Sequence, residues 1–170
     1  MDPRYPIGRF DPHETSPLSE AIEQIEELPR RVREMVGELE NGGKLDVPYR
    51  EGGWTARQVV HHLADSHLNS YARFRLALTE ERPTIKPYDE KRWADLPDAR
   101  LGPVEPSLLL IDGLHTRWVE LLRSMTPADF ERVFIHPDRG EMTLDHTARL
   151  YGWHCRHHLG HLEIVQGSRL

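Results

Sequence analysis

Cysteine is nearly absent: the 170 residues contain one, Cys155. A single thiol excludes an intrachain disulfide framework and suits a reducing, cytoplasmic setting. No stretch approaches the roughly 18 consecutive apolar residues of a membrane span. The opening "MDPRYPIGRF" lacks the apolar run of a signal peptide, so no secretion is expected. Positive charge is also in deficit. Twenty-two Lys and Arg against 28 Asp and Glu leave a formal net charge of −6. That argues against a general nucleic-acid binder, which needs a basic stripe to neutralise phosphates. Several catalytic signatures are missing as well. Without HExxH the chain is no zincin, and without Glu-x-x-His a ferritin-like di-iron bundle is disfavoured. Neither a G-x-S-x-G elbow nor a P-loop occurs.

What remains is an ordinary globular composition, 38% hydrophobic and 29% charged, in a length that suits one domain over residues 1–170. Residues 1–17, rich in Pro and Gly, should be an irregular lead-in that wraps the body. From Leu18 a spacing of three and four (Ile22, Ile25, Val32, Met35, Val36, Leu39) predicts a helix that Pro29 should kink or split. The Gly-rich "NGGKLDVPYREGG" ends it. Thr55 should cap a second helix reaching about Glu81. A long Pro-punctuated excursion over 82–106 marks a crossover. A third helix over 107–125 should present Leu109, Leu110, Leu114, Trp118, Leu121 and Leu122 on one face. Thr126 and Pro127 open a short helical turn, and "RVFIHPDRGEMTL" suggests a small hairpin. Asp145 should cap a last helix, ended by Gly167. Four main helices without a strand-rich region predict an all-α four-helix bundle.

The histidines carry the chemistry. There are eleven, and most fall in two clusters: His61, His62 and His67 in "HHLADSH", and His154, His157, His158 and His161 in "YGWHCRHHLGHLE". Helical residues four apart lie one above the other, so the last helix offers two pairs, His154 with His158 and His157 with His161. A pair can grip a transition metal but needs a third ligand, which the second helix could supply across a bundle. Three imidazoles leave the coordination sphere open for water or substrate, as catalytic sites do. A lone helical histidine is more often a packed or solvated residue, and spacing leaves open which of these bind. Asp65, one turn from His61 and His62, could orient a ligand imidazole; it could equally be an exposed acid. Trp54 and Trp153 could line a pocket or fill the core. Cys155 reads as a small buried residue rather than a reactive thiol.

The stretches "YPIGRF", "PYREGGWTARQVVHHLADSHLNSYARFRLALTEE", "KPYDEKRW" and "LYGWHCRHHLGHL" together closely resemble the YfiT group of metal-dependent hydrolases in the DinB-like superfamily. The resemblance runs from about Tyr5 to Leu162. It implies a four-helix bundle in which three histidines bind one divalent metal. One is the second histidine of the "HH" pair; the other two stand four apart after a Trp in the last helix. On this chain they are His62, His154 and His158. The metal expected is zinc, with nickel as a substitute, and the expected activity is hydrolysis of a small molecule. A metal-dependent thiol S-transferase using bacillithiol or mycothiol is the alternative; a non-catalytic metal or small-molecule binding module is a third. The hydrolase would need a base, for which His61 and Asp65 are candidates. The transferase would need cations for a charged thiol, for which Arg57, Arg73 and Arg156 are available. The resemblance also implies a homodimer, whose interface the 82–106 excursion could serve.

Overall fold

The computed structural model describes residues 2–13 and 15–167. In chain order the elements are α1 (Leu18–Asn41), α2 (Ala56–Thr79), α3 (Glu90–Ala94), α4 (Pro97–Leu101), α5 (Glu105–Ser124), α6 (Pro127–Phe130), β1 (Val133–His136), β2 (Gly140–Thr143) and α7 (Leu144–Gln166). The long helices α1, α2, α5 and α7 form a four-helix bundle. Strands β1 and β2 make one small hairpin, with Val133 opposite Thr143 and His136 opposite Gly140.

Each of α1 and α2 packs against both α5 and α7, so α1 and α2 face each other across the bundle diagonal. Side-chain contacts give the directions. His61 meets Ser107 and His67 meets His115, so α2 and α5 run the same way. Ser66 meets Tyr151 and His62 meets His158, so α7 runs opposite to α2. Parallel neighbours explain the long excursion. The 24 residues of α2 span about 36 Å at 1.5 Å each, and the chain must return that distance before α5 can start. The return path is docked: Gln58 Nε2 donates to the Ala94 carbonyl at 2.8 Å and Arg57 to the Gly102 carbonyl at 2.8 Å.

Several expectations need correction. Pro29 does not split α1, which is continuous from Leu18 to Asn41. Proline lacks an N–H, so the Ile25 carbonyl loses its helical donor; His115 Nδ1 of α5, 2.5 Å away, replaces it. On α5 the buried face is Leu108, Ile111, Leu114, His115, Trp118, Val119 and Leu122, while Leu109 and Leu110 are 60% and 41% exposed. Four consecutive apolar residues, 108–111, satisfy either face, and only the later spacing sets the register. The cap of α7 is Thr143, whose side chain accepts from His146 N at 3.1 Å; Asp145 lies in the first turn and pairs with Arg149 at 2.8 Å. The excursion also holds two short helices that the prolines concealed. Thr55, by contrast, forms a full capping box with Gln58, and Gly167 ends α7 in the left-handed conformation at φ 91°.

Apart from Met1 and Glu14, which lie outside the described residues, the lead-in has no regular structure and lies along α7. Pro6 packs so closely on Gly160 that a Cβ there would sit 2.9 Å from the proline ring. Phe10 packs on His146 and Trp153. No helix among the described residues is long and apolar enough to cross a membrane.

Candidate metal centre

The site grows from the mid-bundle meeting of α2 and α7. Around His62 and His67 the inward face of α2 turns polar: both rings are buried, as are Ser66 and Ser70. Buried polar groups of this kind require partners, and α7 supplies imidazoles. His62 Nε2 lies 3.3 Å from His154 Nε2. The rings of His154 and His158 stand 4.4 Å apart, and those of His62 and His158 4.8 Å apart. One nitrogen from each of the three falls within 4.8 Å of the others. Nitrogens held at about 2.0–2.1 Å from one tetrahedral zinc stand about 3.3 Å from each other, which is the separation the His62–His154 pair already has.

Electrostatics favour the same use. Burial pushes His62 down to about 4 and holds His154 and His158 well below the usual imidazole range. Rings that stay neutral at pH 7 keep the bare nitrogen that coordination needs. Trp54 packs on His62 with ring centroids 4.7 Å apart and limits the rotation of that ring.

A second trio, His157, His158 and His161, is also close enough to share an ion, with all three buried. It contains the other pair on the last helix. Its ring faces are covered by packing, while His157 Nδ1 has no hydrogen-bond partner among the described residues. Tyr49 stacks on His161 at 4.0 Å, Trp153 stacks on His157 at 4.4 Å, and His161 Nδ1 lies 3.2 Å from His158 Nδ1. That contact leaves Nε2 of His158 for the first trio.

The remaining sequence candidates fall elsewhere. His61 turns toward α5, with Nδ1 2.7 Å from Ser107 Oγ and Nε2 3.4 Å from the Gly102 carbonyl. Asp65 is half-buried; burial, with Asp98 nearby, raises its carboxyl to about 6. Neither is among the residues that line the cavity beside the trio. Arg57 is committed to Asp46 and Gly102. Cys155 is fully buried, and burial drives its thiol far above the ordinary value.

The trio lines a cavity of about 1090 Å³ walled by Trp54, Trp153, Tyr5 and Tyr49, with Arg4, Arg50, Lys91, Glu90 and Asp95 also on its lining. The lead-in therefore borders the site. The Gly-rich loop before α2 brings Tyr49 to the wall, with Trp54, one of the two tryptophans the sequence offers as pocket-lining, beside it. A second cavity of about 850 Å³ meets the first at His154 and Trp153 and includes Arg9, Arg73 and Arg139.

The family model of the DinB superfamily matches residues 4–162. The chain belongs to the DinB superfamily. Among DinB relatives, a Bacillus mycoides protein provisionally named a metal-dependent hydrolase is 52% identical over 168 residues, 97% of this chain and 96% of that one. An Oceanobacillus iheyensis protein of the same provisional name is 52% identical over 165 residues, 95% of each chain. The solved structure of YfiT from Bacillus subtilis superposes with a TM-score of 0.92 at 45% identity, covering 99% of this chain and 98% of that one. It is described as a probable metal-dependent hydrolase with an unusual four-helix bundle topology.

Proposed function

We propose that this DinB protein is a metal-dependent hydrolase of a small molecule, holding one divalent cation on His62, His154 and His158. The observation that carries the reading is the convergence of three neutral imidazoles from two helices, with Nε2 atoms of His62 and His154 3.3 Å apart, on a cavity of about 1090 Å³. The provisional name shared by relatives 52% identical over nearly the whole chain agrees with it. An all-imidazole set suits zinc first and nickel second. A divalent ion there supplies Lewis acidity toward water and toward a substrate oxygen. The protein's own part is to fix three nitrogens on rigid helices, leave the remaining positions facing the cavity, and wall that cavity with Trp54, Trp153 and Tyr49.

Metal-dependent thiol S-transfer is the second reading. The arginine-bearing cavity that meets the first at His154 favours it, because Arg9, Arg73 and Arg139 could hold the carboxylates of a small thiol cofactor.

Elemental analysis of the reconstituted wild type should give about one divalent ion per chain. His62→Ala and His154→Ala should lose it and His157→Ala should keep it. Metal retained by the first two variants, or lost only with His157, would shift the site to the second trio. Esters and amides assayed with and without a low-molecular-weight thiol then separate hydrolysis from transfer. Metal binding without turnover in either assay would leave a binding module.

A further inference from the structure

Behind His154, on the side away from His62, lies a second row of imidazoles that the proposed hydrolase site does not use. The row begins at Pro29. Because that residue has no N–H, the Ile25 carbonyl takes its hydrogen bond from His115 Nδ1 at 2.5 Å. A carbonyl can only accept, so His115 carries its proton on Nδ1, and a neutral ring then presents a bare Nε2. That Nε2 lies 2.9 Å from His67 Nδ1, which must donate. His67 Nε2, now bare, lies 3.0 Å from His154 Nδ1, which must donate in turn. The one group of fixed polarity at the far end thus dictates every proton position along the row. It leaves His154 Nε2 bare, and that is the nitrogen 3.3 Å from His62.

We propose that the Ile25 carbonyl, His115 and His67 form a proton-ordered relay that locks His154 in its Nδ1–H form and aims its Nε2 lone pair at the metal position. The relay rests on the reading of His62, His154 and His158 as a metal centre. His67 and His115 are positioning residues within it. Both are essentially inaccessible to water, at 0% and 1% exposure. Their rings lie nearly parallel, 15° apart with centroids 4.9 Å apart, and Tyr151 and Trp118 pack edge-on against His67 at 5.1 and 5.8 Å. Because the row ends on a carbonyl, it fixes protons in place and has no acid at its end to exchange them with.

The relay also shapes the metal's chemistry. Many metal-bound histidines are backed by a carboxylate, which makes the imidazole more basic and adds negative charge beside the ion. A neutral imidazole orients its partner as well but adds no charge. A cation held there would therefore keep more of its positive charge and would be a stronger Lewis acid.

Two measurements on the full chain test this. The first is nitrogen NMR of isotope-labelled histidines in the metal-free and zinc-loaded wild type; it should find His115, His67 and His154 all protonated on Nδ1. The second is zinc affinity by competition with a chromophoric chelator. His115→Phe, which keeps a flat ring but can neither donate nor accept, should bind zinc about 10–100-fold more weakly. His115→Gln, whose amide can donate to Ile25 and accept from His67, should restore most of that loss. An Nε2–H form at His67 or His154, or wild-type affinity in the Phe variant, would overturn the relay. Should the Phe variant not fold, the NMR tautomers decide alone. Zinc retained by His62→Ala would instead overturn the metal-centre reading, while the tautomers would still report on the relay.

Discussion

Cys155 shows how completely burial can silence a reactive group. It lies between His154 and Arg156 in sequence, the kind of neighbours that activate a thiolate when the sulfur is exposed. Its side chain is fully buried, and loss of hydration pushes the thiol far above its ordinary range. Reactivity follows the thiolate, so the folded chain should react negligibly with an aromatic disulfide reagent. The same chain in denaturant should react at its single thiol, which absorbance would follow. Rapid labelling of the native protein would mean that α7 opens far more readily than its packing allows. Other residues were less legible. His62, His154 and His158 could be singled out because clustering and i,i+4 spacing are properties of the chain and the family motif chose among them. His115 could not. It stands alone on α5, and its partner is a carbonyl freed by Pro29, many residues away and in another helix. No local pattern encodes such a pairing.

At the scale of elements, existence and type were readable while register and path were not. Thr55 and Gly167 announce helix ends through local backbone chemistry. Which face of α5 turns inward depends on α1 and α2, and the run of apolar residues at 108–111 is compatible with two answers. The crossover's length was visible, but its cause, the parallel run of α2 and α5, is a tertiary fact. One contact shows how tightly these elements constrain one another. Where α7 crosses α1, a Cβ on Gly152 would lie 2.8 Å from Ala21 Cα and 2.9 Å from Ala21 Cβ. The first of these is backbone and cannot rotate away. Gly152→Ala would ordinarily favour a helix; here it should instead destabilise the fold by about 1–3 kcal/mol, because the helices must separate. Equilibrium denaturation would measure it, and a rise in the midpoint would show that α1 and α7 are not in close contact. His154 is two residues further along, so the same substitution should also weaken zinc binding.

For the whole molecule, a bundle built around buried imidazoles carries a characteristic acid liability. Burial holds His115 in the folded chain at about 4, against an ordinary value of 6.5. Above pH 6.5 neither state protonates the ring, and its contribution is constant. As pH falls from 6.5 toward about 4, the unfolded chain takes up a proton that the folded chain refuses, so stability drops. That gap corresponds to about 3 kcal/mol. Unfolding midpoints of metal-free wild type should therefore fall across this window, and His115→Gln, which has nothing to titrate there, should fall less steeply. Parallel slopes for the two chains would refute the assignment. On the proposed metal centre, zinc should add a second, separable dependence. An ion bound only by the folded state stabilises it by mass action, but protons compete with zinc for the ligand nitrogens. Zinc should raise the midpoint most near neutral pH, with the gain vanishing in acid. The loaded protein should thus show a steeper acid transition than the metal-free one, and His62→Ala should abolish that difference without changing the His115 contribution.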